Sequence, residues 1–421
     1  SWFILRPMRD ALGVAAGVSK LPYLFLGTLT ATLVCQPPFA ALVRRFPAQR
    51  FITISYRFFL ANLLAFYALS RWLPPGNERW LGPVFFVWTS VFTLFVVSVF
   101  WGFMADVFDA EQAKRLFGLV SVGGTVGAIA GAAITATLAE RLGTVNLLLV
   151  SAALLELAVQ CVRRFPKRGE PGGLARRRSL GADARPVGGG LWNGFTHVAR
   201  SPYFLAICAY FVLYTVGSTF LYFQQADIVG HTYTGRAAQT AVLAKIDFAS
   251  QLVSMIAQAL LTGRVMRRVG VGPTLAILPA TSVLGFLWLG FVPTLAVLAT
   301  FTVIRKATNY AFTNPATEVL YTVVSREDKY KAKSFIDTFV YRAGDQTGAW
   351  SYAGLATLGL SGAALAFVSA PLSAVLLGIG LWLGVRETAL ARARGLRGDG
   401  EPTSPAPPTA TPSARADAPA A

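Results

Sequence analysis

Several charges sit inside long apolar runs of this sequence, and they are the residues able to do chemistry. They are Arg9 with Asp10, Arg57, Asp106, Glu156, Asp227, Lys245 with Asp247, Arg305 with Lys306, and Arg342 with Asp345. An ionisable group in hydrocarbon is costly, so it faces a cavity or a partner, or reaches for the interface when it lies near the end of a span. Asp106, Glu156, Lys245 and Lys306 fall near the predicted ends of apolar runs and read as interfacial. Arg57 and Arg342 fall deeper. For them two readings stay open, a place on a transport pathway or an internal ion pair.

Arginine is informative about cargo. Its planar fork donates two parallel hydrogen bonds to a phosphate or carboxylate and stays charged when desolvated. Arginines converging on a cavity would therefore select an organic anion. Tyr56, Trp88, Tyr310 and Tyr341 lie where they could stack a base, although aromatic side chains are also ordinary packing in such segments. The stretch Glu318–Arg342, EVLYTVVSREDKYKAKSFIDTFVYR, concentrates alternating charges including Lys331, Lys333 and Asp337. It reads as a loop leading into an amphipathic helix start, where salt bridges can exchange as a gate. GGTVGAIAG, from Gly123 to Gly131, is a small-residue packing stripe, and no GxxxxGK[ST] accompanies it. The chain therefore has no motif for hydrolysing nucleotide, and no Ser/His/Asp or Cys/His arrangement points to an enzyme. Cys35, Cys161, Cys208, His197 and His231 lack metal-ligand spacing, so no metal and no cofactor is expected.

The elements that must position these charges are helices. The composition is 54% hydrophobic and 14% charged, with a mean hydropathy of +0.53. The apolar residues come in runs of ~20 residues, long enough to cross a bilayer, and helices satisfy their own backbone there. Trp2–Leu5 reads as the end of a first span that begins before this sequence, and eleven full runs follow. The expected architecture is an all-α integral membrane bundle of twelve transmembrane helices, the first truncated. A net charge of +18 would point a soluble protein toward nucleic acid. Here most Lys and Arg lie between apolar runs on one side, which fits anionic lipid and a cytoplasmic carboxyl terminus, with no nucleic acid as partner.

The chain divides into two halves, residues 1–162 and 203–394. Between them lies a basic Arg/Gly/Pro-rich linker, 163–202, and a Pro/Ala/Thr tail follows over 395–421. FILRPMRDALG faces FLYFQQADIVG, VRRFPAQR faces RVMRRVGVGP, and EQAKRLF faces YKAKSFI, in the same order at similar offsets. Three pairs in register point to a duplicated six-helix unit, the arrangement of major-facilitator transporters.

Three segments carry a closer resemblance. LRPMRDALGV (Leu5–Val14), FWGFMADVFDAEQAKRLFGL (Phe100–Leu119) and EVLYTVVSREDKYKAKSFIDTFVYRAGD (Glu318–Asp345) resemble the ATP/ADP antiporter family, the NTP/NDP exchangers of plastids and intracellular bacteria, and especially its bacterial members. The resemblance implies a transporter of the bacterial inner membrane. It implies that Arg9, where the family has lysine, and Lys331 and Lys333 hold phosphates, while Asp10 and Glu318 are the carboxylates that balance them. Phe86 and Val87 stand where the family places an acidic residue early in the fourth helix.

The leading functional expectation is exchange of a nucleotide or other organic anion by alternating access, in a single copy, without catalysis. Arg9, Arg57, Arg342, Lys331, Lys333 and Tyr310 would hold the anion. Asp10, Asp106, Asp227, Glu318, Asp337 and Asp345 would gate or couple its movement. One alternative is a proton-coupled carrier of another solute, with Asp106 or Asp227 as the proton site. Another is a membrane scaffold that transports nothing.

Overall fold

The computed structural model describes residues 1–45, 48–72, 78–107, 110–164, 201–324, 332–333 and 335–393. Lys331, the linker but for its ends, and the tail lie outside the described residues, as do the side chains of Asp106 and Asp337. The described chain is helical. In the first half the helices are α1 Trp2–Ala16, α2 Leu21–Arg45, α3 Ala48–Trp72, α4 Glu78–Val107, α5 Ala110–Leu142 and α6 Leu147–Arg163. In the second they are α7 Pro202–Thr232, α8 Arg236–Leu260, α9 Val271–Phe291, α10 Leu295–Thr308, α11 Tyr341–Thr357 and α12 Gly362–Ala393. A short basic helix, Thr262–Val269, joins α8 to α9. Eight of the described helices are long and apolar enough to cross a membrane. α1, α6, α10 and α11, at 15, 17, 14 and 17 residues, are shorter and are not among those eight.

Two of these helices are interrupted for identifiable reasons. α10 runs on through a π-helical turn, Asn309–Thr313, into the helix Asn314–Leu320. Pro315 lacks an N–H, which frees the carbonyl of Ala311 one turn earlier. The Thr262 hydroxyl donates to that carbonyl at 2.7 Å, and Gln258 Nε2 donates to the carbonyl of Tyr310 at 3.2 Å. Pro279 does the same inside α9, where the Tyr210 hydroxyl donates to the freed Leu275 carbonyl at 3.2 Å. Neighbouring helices thus satisfy backbone groups that lipid could not. A second π-helical turn, Ile336–Val340, leads into α11.

Each half has its own apolar core. One is built on Ile52, Leu63, Phe92, Phe103 and Leu147. The other is built on Ile207, Tyr210, Leu275, Leu376 and Leu383. The α9–α12 approach is closest at Gly272 and Gly384, where a Cβ on either would meet the other's backbone. Gly131 likewise lets α5 lie against Phe3 of α1, whereas Gly127 faces open space, so only one glycine of the stripe packs α1.

The halves meet through α1 against α7 and α8, α2 against α11, and α5 against α8. They are sealed at the end where α1 turns into α2 and α7 into α8. There Leu21, Leu24 and Phe86 pack on Phe220, Phe223 and Tyr352, and Ala11 packs on Val229 and Leu243. Away from this seal the halves part.

Candidate functional site

The parting leaves a cavity of about 470 Å³ lined by α1, α2, α4, α7 and α11. Arg9 and Arg342 face it from opposite halves, with Asp345, Tyr222, Ser90 and Gln346. Its walls continue into two further spaces. One shares Val97 with it and is lined by Tyr56, Trp101 and Tyr310. The other shares Gln258 and Tyr310 with the second and holds Glu318, Lys333 and Tyr341.

At the deep end lies a chain of charges that crosses between the halves. Lys306 of α10 donates to Asp247 of α8 at 2.7 Å. Asp247 also faces the guanidinium of Arg6 in α1 at 3.6 Å. Arg6 lies 3.9 Å from Asp10, and Arg9 donates to Asp10 through two nitrogens at 2.7 and 3.0 Å. Tyr222, from the other half, donates its hydroxyl to Asp10 at 3.1 Å. Arg9 lies over the rings of Trp2 and Phe86, at 5.6 and 5.1 Å, and its remaining nitrogen, Nη1, reaches Ser90 of the cavity wall at 3.5 Å. Arg342 pairs loosely with Asp345 at 3.6 Å. Phe86 and Val87 therefore mark a real feature: where a carboxylate could have stood, an aromatic ring carries Arg9.

Arg305 sits one residue from Lys306 and points into its own half. It donates to Ser282 Oγ at 3.2 Å, to Ser218 Oγ at 3.0 Å and to the Tyr214 carbonyl at 3.3 Å, and it lies over the Tyr214 ring. It is 7% exposed. Among the described residues no carboxylate comes within ion-pair distance of it.

The structure brings Arg9, Asp10, Arg342, Asp345 and Tyr310 to the passage and removes others from it. Arg57 is a correction. It lies on the outer face, 46% exposed, and pairs with Glu156 of α6 at 3.0 Å. Gln160 also donates to Glu156. α3 and α6 pack side by side on the rim of the first half, so residue 57 points outward although it lies well inside the run. Arg57→Gln is expected to leave transport within about twofold of wild type, read as initial uptake rate in vesicles.

Asp227 is also away from the cavity. It sits at the sealed end beside His231, whose Nδ1 lies 3.5 Å from its carboxylate. Lys333 and Glu318 form an ion pair at the open end, against the Tyr321 ring. At ~1.5 Å rise per residue, Arg9 is ~10 Å from the end of α1 and Glu318 ~35 Å from the start of α10. The residues that the resemblance links to phosphate therefore lie far apart, Arg9 deep in the passage and Lys333 with Glu318 at its mouth. Trp88 is packing, stacked on Phe92 at 5.2 Å in the first core, whereas Tyr56 and Tyr341 reach the passage.

Two bundles around a passage closed at one end is an arrangement known among membrane carriers. A family model described as the Major Facilitator Superfamily matches residues 1–344. The chain belongs to that superfamily. It is 24% identical over 349 residues to ADP,ATP carrier protein 1 of Chlamydia trachomatis serovar D, across 73% of this chain and 64% of that protein. It is also 24% identical over 366 residues to ADP,ATP carrier protein 1 of Chlamydia muridarum, across 77% and 66%. The chain thus spans just under two thirds of the length of these relatives. Among solved structures it is similar to a bacterial homologue of the iron transporter ferroportin in an inward-facing state, with a TM-score of 0.61, 10% identity and coverage of 91% and 96%. It is similar also to the nucleoside transporter NupG, with a TM-score of 0.56, 14% identity and coverage of 92% and 98%. At these identities the two structures establish the fold alone, that of a multi-pass membrane protein.

Proposed function

We propose that this protein exchanges organic anions of the nucleotide class across a bacterial inner membrane by alternating access between its two halves. The observation that carries the reading is the cavity between them, with Arg9 and Arg342 facing it from opposite sides. A fork from each half can close on one phosphate, and binding then favours the state in which the halves approach. The names of the chlamydial relatives supply the nucleotide class.

In this reading the linker end is cytoplasmic, because most basic residues lie there. The passage then opens inward, and the Lys333–Glu318 pair stands at its mouth. The Tyr222–Asp10 hydrogen bond and the Arg6–Asp247 pair cross the halves beside the seal. They have to break when the outer side opens.

The test is uptake of labelled nucleotides into proteoliposomes, with AMP, ADP and ATP tried in turn. Vesicles preloaded with the same nucleotide are compared with empty ones. Uptake that requires internal nucleotide is the expected result. Equal uptake by both kinds of vesicle contradicts exchange. No uptake of any nucleotide by folded protein contradicts the nucleotide reading.

A further inference from the structure

The cations at the deep end are already largely neutralised by the protein itself, and this limits the charge the cargo can carry. Among the described residues, Arg6, Arg9, Lys306 and Arg342 face Asp10, Asp247 and Asp345. Each of the three carboxylates lies within ion-pair distance of at least one cation. Four positive charges against three negative leave one unmatched. Arg305, adjacent to Lys306 but pointing into its own half, has no carboxylate within ion-pair distance among the described residues and adds a second charge from behind the cavity wall.

We infer that the cargo of this site is a phosphomonoester, a nucleoside monophosphate in class, rather than a nucleoside di- or triphosphate. The inference rests on the anion-exchange reading above and narrows it. A phosphomonoester carries about 1.5 to 2 negative charges at neutral pH, which two unmatched cations balance. Each further phosphate adds charge, and in a site shielded from water an unmatched charge weakens binding steeply. The Lys333–Glu318 pair at the mouth is neutral and too distant to balance a terminal phosphate held at Arg9.

The rest of the cavity fits the nucleoside part. Thr28 Oγ1 and Gln346 Oε1 are buried without a hydrogen-bond partner, and both residues line the cavity with Arg9. The Gln346 carbonyl oxygen can only accept, so it calls for an O–H or N–H on the cargo. Ribose hydroxyls and a base amino group provide these. Phe25 stands on the same wall, beside Tyr222 at 5.8 Å and Phe86 at 6.4 Å, and offers a surface for a base. Inorganic phosphate would match the charge and leave these groups unused.

The test is competition against labelled AMP in proteoliposomes loaded with AMP, using unlabelled AMP, ADP, ATP, phosphate and adenosine. AMP should compete at concentrations at least about tenfold below ADP and ATP. ADP or ATP competing as well as AMP overturns the inference and leaves nucleotide exchange standing. Phosphate matching AMP overturns the nucleoside part. Failure of AMP, ADP and ATP alike to enter overturns the exchange reading itself.

A charge change adds a second readout. Asp345→Asn leaves one more cation unmatched in the cavity wall, and the ratio of ADP to AMP affinity should rise about tenfold. Asp10→Asn should move the ratio the same way, which covers the case in which the first variant does not fold. A ratio unmoved in whichever variants fold overturns the charge-matching argument.

Discussion

Arg9→Gln should fold and insert as the wild type does and lose about 100-fold or more in nucleotide affinity. The two halves of that expectation have different causes. Arg9 is one of two fork-bearing cations on the cavity wall, and losing a desolvated charge-assisted contact to a phosphate costs about 2–5 kcal/mol. Folding survives because Asp10 is not stranded. It keeps the Tyr222 hydroxyl at 3.1 Å and Arg6 at 3.9 Å. Arg9→Lys separates charge from shape: the ammonium keeps the attraction but not the fork, and about a tenfold loss is expected. Exchange rate and ligand-induced thermal shift are the measurements. Wild-type affinity in Arg9→Gln would take Arg9 out of the site, and an unfolded Arg9→Gln would show that its pairing with Asp10 is structural instead.

The spanning architecture was legible because apolar run length is a direct consequence of bilayer thickness. Three pairs of short segments in the same order are what pointed to a duplicated unit. Helix ends were not. The apolar run of α8 starts near Leu243, yet the helix begins at Arg236. The run of α10 stops near Asn309, yet the helix continues through a π-helical turn to Leu320. At α10 the extension is supported by neighbouring elements, since Thr262 and Gln258 hydrogen-bond its backbone. A hydropathy window has no term for such partners.

That error in the ends misplaced the charges. Lys306 looks interfacial beside a truncated run, whereas in the full helices it lies well inside α10 and pairs with Asp247 in the middle of α8. Arg6 carries no signal apart from the neighbouring Arg9 and Asp10, since its partner Asp247 lies on another helix. Arg57 failed in the opposite direction. It lies deep in its run, but depth along a helix says nothing of which face a residue occupies, and its partner Glu156 sits on the rim helix α6. Arg342 and Asp345, three residues apart on α11, were readable because they share a face. Glu318 and Lys333, read as a gating carboxylate and an anion-holding cation of one charged segment, form an ion pair with each other. Their distance from Arg9 depends on the course of α10, which sequence similarity does not carry.

The Asp247–Lys306 pair can be divided experimentally into its structural and transport roles. Asp247→Leu should destabilise the protein by about 3–5 kcal/mol, because Lys306 is then buried without a partner and Arg6 loses its link to the second half. The midpoint of thermal unfolding in detergent reads that loss. Adding Lys306→Met should restore most of it, since both charges leave together and apolar side chains fill the space. Arg6 retains Asp10 in the double variant. Exchange should not return with stability, and a deficit of about tenfold or more is expected to persist. The reason is that Asp247 is more than a partner for Lys306: it ties α8 to α1 across the halves, and the opposite access state requires that tie to open. A double variant that is both stable and fully active would make the pair packing alone. One that is stable and slow would place the Arg6–Asp247 contact in the conformational cycle.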